Sequence, residues 1–264
     1  MSSGCPVFSD AIYVRKTASV SSKFTSVGVA RNWRKLHSVC QPFSRRFRAA
    51  AASPNHPSEH GKNSMEVEIK LKLPDSAAHQ RLSDILSPFH LETLIQENAF
   101  FDSPVDDLAK NLAALRLRFY NLDSRCVLSL KAKPVISSGI SRVEEEEEPL
   151  EPILARRLVA EPSRILAIHA SNIARRVREE YGVRDLVCLG KFRNVRGVYE
   201  WEGLKLEVDE TTYDFGTSYE VECETAEPER DRKLIEGLLI ENGIRYNYSN
   251  LNKFAVFRSG KLPQ

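Results

Sequence analysis

The chain has 264 residues with 38 Lys/Arg against 36 Asp/Glu, so a formal charge of +2 hides its internal asymmetry. Residues 1–64 carry ten basic and two acidic side chains, and residues 65–264 carry 28 basic and 34 acidic. The negative balance of the second part argues against nucleic-acid binding, which wants a basic surface. No apolar stretch approaches the roughly 20 residues that span a bilayer.

Residues 1–64 hold 12 Ser, including Ser2 and Ser64, and show no sustained periodicity. An Arg-rich, Ser-rich and acid-poor leader has the composition of an organelle transit peptide, which implies a chloroplast or mitochondrion. The alternatives are a disordered basic tail, or upstream sequence before a start at Met65; both leave the protein cytoplasmic. Residues 65–264 suit one domain with a sizeable core. The five cysteines (Cys5, Cys40, Cys126, Cys188, Cys223) are odd in number and have no CxxC spacing, so they read as reduced thiols.

Met65 to Leu73 alternates without a break, which predicts a two-faced strand. Glu66, Glu68, Lys70 and Lys72 share one face, opposite Val67, Ile69, Leu71 and Leu73. Pro74-Asp75 starts a helix to about Ser87. Extended chain follows over 91–102, then a short helical piece over 105–112. Strands are predicted at 114–120, at 126–133 with a stop at Pro134, and at 139–148. Helical spacing covers 151–181, broken near Pro162. Strands return at 186–201, 204–210 and 218–225, with turns at Glu202-Gly203 and Asp214–Gly216. A helix over 228–242 and a helical or mixed tail over 251–258 close the chain. About eight hairpin-connected strands with intervening helices define an α+β fold with a largely antiparallel sheet.

Strand parity gathers the charges. Arg116 pairs with Arg118, Lys131 with Lys133, and Lys191 with Arg193. Glu207 pairs with Asp209, Glu220, Glu222 and Glu224 align, and so do Arg142, Glu144 and Glu146. A single charged strand face is ordinary in a half-solvated sheet. Here the signs segregate by strand, which a solvated face avoids. The helices need the apolar strand faces, so a closed sheet would line its interior with the charged ones. Unpaired charge inside a barrel is costly and makes sense only when a ligand matches it. Arg and Lys clusters suit phosphate oxygens. Carboxylates without matching His or Cys suit Mg²⁺ or Mn²⁺. The six His are dispersed, and neither GxxxxGK[ST] nor GxGxxG occurs, so side chains must hold the phosphates.

Glu66-Val-Glu68-Ile-Lys70 at the domain start resembles the ExExK motif of the CYTH superfamily, the triphosphate tunnel metalloenzymes. The resemblance extends through Arg116-Leu-Arg118, Lys131-Ala-Lys133, Glu207-Val-Asp209, Glu220-Val-Glu222 and Lys253, and so spans 65–262. It is nearest the short single-domain plant members, which begin at the Met before ExExK; the leader departs from that pattern. The resemblance implies an eight-stranded antiparallel closed β tunnel with helices outside. It implies metal binding by Glu66, Glu68, Glu207, Asp209 and Glu222. Phosphate would be held by Lys70, Arg116, Arg118, Lys131, Lys133, Arg193 and Lys253. Lys72, Glu144, Glu146 and Lys191 join by parity. The implied activity is Mg²⁺- or Mn²⁺-dependent hydrolysis of inorganic triphosphate, with Lys70, Glu68 and Glu222 as catalytic groups. Thiamine or nucleoside triphosphates are alternative substrates, and a non-catalytic polyphosphate-binding module is the other class. A monomer or weak dimer is expected.

Overall fold

The computed structural model describes residues 64–263. The leader, and with it the transit-peptide expectation, lies outside the described residues. Nine strands and six α-helices follow one another: β1 (Ser64–Leu73), α1 (Ser76–Leu86), β2 (His90–Asp102), α2 (Asp107–Lys110), β3 (Ala113–Tyr120), β4 (Arg125–Ser137), β5 (Ile140–Leu150), α3 (Pro152–Ala160), α4 (Asn172–Glu179), β6 (Val187–Trp201), β7 (Leu204–Tyr213), β8 (Gly216–Glu224), α5 (Pro228–Glu241), β9 (Asn247–Tyr248) and α6 (Lys253–Ser259).

The sheet runs β5-β4-β3-β2-β6-β7-β8-β1, and β1 pairs back onto β5. Every one of these neighbours is antiparallel, so eight strands close into a barrel without an edge. Short β9 adds to β1 at Leu71 and Lys72, a pairing that two residues of sequence do not announce. Two of the hairpins turn on two residues. Ser138-Gly139 joins β4 to β5 at φ 50° and 74°, and Glu202-Gly203 joins β6 to β7 at φ 51° and 76°. Two consecutive positive φ angles give a turn whose twist matches that of the strands. At Gly139 a Cβ would also lie 2.8 Å from the Tyr248 ring.

Helices cover the outside because the apolar strand faces point there. Leu115, Leu117, Leu128 and Leu130 of β3 and β4 are fully buried against Leu158, Ile165, Ile173 and Val177. Ile69, Leu71, Val208 and Val221 are buried against Leu82 and Leu86 of α1 and Ile235 and Leu239 of α5. Each such side chain contributes about 1.5–3 kcal/mol relative to exposure. Asp75 caps α1 by accepting from the Ala78 backbone N–H at 2.8 Å, so the helix starts where the sequence predicts. Cys126 and Cys223 are buried free thiols and Cys188 is an exposed one.

Pro134 does not end β4. The strand continues to Ser137 through an irregularity between Ala132 and Val135, where Lys133 takes a φ of 51°. A proline is tolerated at such a break because no ladder donor is needed there. One end of the barrel interior is covered by α6. Phe254 stacks on inward-facing Phe100 at 4.7 Å between ring centroids, and Phe257 and Val256 pack against Phe192. Asn252 starts this helix by accepting from the Ala255 N–H, which fixes Lys253 at its first turn.

Candidate active site

The inward faces of the strands line a cavity of about 970 Å³. One wall is acidic. β1, β7 and β8 lie in register, with Lys70 opposite Glu222 and Glu207 opposite Glu222 on the other side. Carboxylate oxygens of Glu68, Glu207 and Glu222 lie within 4.8 Å of one another. Oxygen donors alone, converging at that spacing, suit a hard divalent cation. Glu68, Glu207, Asp209, Glu220 and Glu222 face Lys70, Arg196 and Lys253 on this wall. Lys205 also lies 3.8 Å from Glu207 and Lys72 sits opposite Glu220, so the fit to a divalent ion rests on the three converging carboxylates and not on an excess of negative charge.

The ion pairs decide which groups stay available. The Lys70 ammonium donates to Glu68 at 2.8 Å and to Glu222. Lys253 reaches in from α6 to Asp209 at 2.9 Å, Glu220 at 3.0 Å, and Glu222. Arg196 forks onto Asp209 and also donates to Glu222 at 2.7 Å and to Glu207. Burial alone would raise the Glu222 carboxyl, but Lys253, Lys70 and Arg196 outweigh it and hold it well below the ordinary range. Burial, joined by the charge of Glu222, pushes Glu68 up to about 7 against the pull of Lys70. Burial also raises Glu66, where Lys131 opposes it. Burial opposes the charge of Lys70, yet Glu222 and Glu68 hold that amine above its ordinary range.

The facing wall is basic. Arg116 and Arg118 share the inner face of β3. Arg116 Nε donates to the Ser129 hydroxyl at 3.0 Å, and its Nη2 lies 3.4 and 3.5 Å from Glu147 and Glu145. Arg118 Nε donates to Asn98 Oδ1 at 2.8 Å. Among the described residues Arg118 has no carboxylate partner. Lys131 donates to Glu66 at 2.5 Å and lies 3.0 Å from Glu145. A neutral seam of Gln96, Asn194 and Thr211, hydrogen-bonded to one another, separates the two walls. At the end away from α6, inward-facing Leu94, Tyr120 and Val198 form an apolar collar.

The structure thus brings together Glu66, Glu68, Lys70, Arg116, Arg118, Lys131, Glu207, Asp209, Glu222 and Lys253. Glu66 and Asp209 stand outside the three-carboxylate cluster. Glu66 is engaged by Lys131, and Asp209 by Arg196 and Lys253. Five residues depart from the faces that strand parity implies. Arg193 and Lys191 are exposed on the outer face of β6, because its inner face carries Phe192, Asn194, Arg196 and Val198. Lys133 swings outward at the break in β4 and lies 3.0 Å from Glu144 in the open. Glu144 and Glu146 lie on the outer face, Glu146 buried 3.0 Å from Arg176 of α4, while Glu145 and Glu147 point inward. Lys72 keeps the inner face but donates to the Pro263 carbonyl at 2.5 Å. Arg196, like Glu145 and Glu147, is an inward residue that strand parity in sequence missed. Its signal was an even-numbered face on β6, masked by Lys191 and Arg193 on the odd one.

A closed eight-stranded antiparallel barrel, with a carboxylate cluster facing arginines inside it, defines a charged-tunnel protein with groups of both signs on its inner walls. The chain belongs to the CYTH domain family, which it matches over residues 64–255. Among solved structures it is similar to HpAC1 from Hippeastrum, described as a candidate adenylyl cyclase with a dominant triphosphatase activity. The two are 57% identical, with 75% of this chain and 97% of that one covered and a TM-score of 0.73. A candidate adenylate cyclase from Bacillus halodurans is 21% identical, with 74% and 97% covered and a TM-score of 0.56, a likeness of fold alone. Comparison with curated proteins finds no match.

Proposed function

We propose that this protein hydrolyses inorganic triphosphate to pyrophosphate and phosphate, using Mg²⁺ or Mn²⁺. The observation that carries this reading is Arg118, a guanidinium facing the tunnel with no carboxylate partner among the described residues, opposite the Glu68–Glu207–Glu222 cluster. The triphosphatase activity of the 57% identical Hippeastrum protein supports the same reaction class.

Arg116, Arg118 and Lys131 bind the phosphate chain and offset the charge that builds on its oxygens. Lys70 and Lys253 bring positive charge to the phosphate nearest the acidic wall. A divalent ion held by Glu68, Glu207 and Glu222 would supply Lewis-acid polarisation of the phosphoryl group. Glu222 stays ionised under its three cations and is suited to be a ligand. In the metal-free site burial and the charge of Glu222 push the Glu68 carboxyl up to about 7, so Glu68 is the more basic of the two and suited to accept the proton of an attacking water while Glu207 and Glu222 stay as ligands. The water attacks in line, and the leaving pyrophosphate departs with its charge on the basic wall. α6 and the apolar collar limit bulk water at the two ends.

Tyr120 is the aromatic ring of the collar, and the Arg125 guanidinium lies over it at 3.7 Å. With Leu94 and Val198 packed beside it, the ring offers little surface for a base or thiazole. At that end the collar favours a bare polyphosphate; the rings that line the cavity at the α6 end, Phe100, Phe192 and Phe254, stack on one another. Phosphate release from tripolyphosphate, pyrophosphate, ATP and thiamine triphosphate with Mg²⁺ or Mn²⁺ tests the reading. Fastest release from tripolyphosphate is expected, and a clear preference for ATP or thiamine triphosphate would reassign the substrate. Release from none would favour a binding module. The basic, Ser-rich composition of residues 1–64 supports import into a chloroplast or mitochondrion. Import of the full chain compared with residues 65–264 tests that, and equal retention in the cytosol would remove it.

A further inference from the structure

The three tunnel arginines are anchored in two different ways. Arg196 spends Nε, Nη1 and Nη2 on carboxylates. Arg116 and Arg118 instead give Nε to a neutral oxygen directly across the sheet, although Arg116 Nη2 also lies 3.4 and 3.5 Å from Glu147 and Glu145. Ser129 of β4 serves Arg116, and Asn98 of β2 serves Arg118. Ser129 and Asn98 are both fully buried. A neutral acceptor satisfies the buried N–H and fixes the plane of the guanidinium without cancelling its charge. A carboxylate there would form a charge-assisted pair that an incoming anion must compete with. A second observation points to the same spot. The Asn98 amide nitrogen is buried beside Arg118 and has no hydrogen-bond partner.

We infer that Asn98 and Ser129 are positioning residues: Asn98 keeps Arg118 oriented and open to phosphate oxygens, and Ser129 fixes the plane of Arg116 while leaving its Nε clear of carboxylate. The inference rests on the triphosphate reading and adds the groups that set how tightly the anion is held. Both side chains act through the arginines, so the larger effect is expected on Kd and KM and the smaller on kcat.

The test uses full-length protein and Asn98→Asp and Ser129→Ala variants. Tripolyphosphate is titrated calorimetrically into chelator-treated protein, and KM, kcat and the urea midpoint are measured in parallel. Asn98→Asp is isosteric and adds a charge partner for Arg118. It should raise Kd and KM about tenfold, leave kcat within about threefold, and hold or raise the midpoint. A merely structural residue would lose affinity only together with stability. Ser129→Ala should raise KM about fivefold, and it carries the test if Asn98→Asp does not fold. Wild-type Kd and KM in both variants would overturn the inference, as would affinity lost only in step with the midpoint. If wild type binds tripolyphosphate without hydrolysing it, the triphosphatase reading fails while the comparison of Kd values still decides the anchors. If wild type does not bind it, both fall.

Discussion

Arg196 of β6 meets Asp209 of β7 in a two-point fork, Nε to Oδ1 at 2.8 Å and Nη2 to Oδ2 at 2.6 Å, directly across the ladder. Both side chains are buried, and Asp209 is fully so. Removing the arginine leaves a desolvated carboxylate with only Lys253 beside it. Arg196→Met is therefore expected to cost about 3–5 kcal/mol, read from urea unfolding. Triphosphate KM, measured where the variant is still folded, should rise less than in Arg118→Met, because Arg196 is already spent on carboxylates.

Lys70 links Glu68 to Glu222 within the proposed cation site. Lys70→Ala should lower kcat for tripolyphosphate by about 10²–10³-fold, on the order of 2.7–4 kcal/mol in the barrier. Steady-state kinetics at saturating Mg²⁺ checks this, and undiminished turnover would remove Lys70 from the mechanism.

The Glu68 carboxyl at about 7 makes two pH predictions. Protons compete with the metal, so Mn²⁺ or Mg²⁺ affinity should rise from pH 6 to pH 8 in calorimetric titrations, and Glu68→Gln should flatten that slope. For metal-free stability the sign is opposite. The folded carboxyl binds its proton more tightly than the unfolded one, so its contribution is present below about pH 4.5 and is lost as pH rises through about 7. Glu68→Gln lacks this titration and should gain up to about 3 kcal/mol relative to wild type across that window, measured by urea midpoints at pH 5 and 8.

Arg193 and Lys133 are exposed and lie outside the tunnel. Arg193→Ala and Lys133→Ala should each leave triphosphate KM within about twofold and stability within about 0.5 kcal/mol. A tenfold rise in KM for either would mean that the tunnel rearranges on binding.

Much of this architecture was legible in the sequence because alternation is a strict code. One face of β1, β3, β7 and β8 is charged and the other apolar, so the inner residues of those strands follow from parity alone. The code fails where both faces are polar. β6 carries Lys191 and Arg193 outside and Arg196 inside, and charge could not choose between them. Glu144 to Glu148 are identical in type, so no parity exists to read until Leu128 and Leu130 set the register from the neighbouring strand. Lys133 follows the parity of Lys131 in sequence, but the backbone breaks between them. Asn98 and Ser129 carry no charge and gave no signal; their importance is a matter of which atom faces which.

The closure of β1 onto β8 sets an order of assembly. Glu66, Glu68 and Lys70 leave the ribosome early, but Glu222, which pairs with Lys70, and Lys253 come near the end of the chain. Such distant pairings raise contact order and slow folding. One edge of β1 can pair with β5 once residue 150 exists, but the edge toward β8 must wait for residue 224, and its alternating carboxylates and ammonium groups keep that open edge from joining another chain. The residues suited to bind the ligand in the finished protein thus also guard the unfinished one against aggregation.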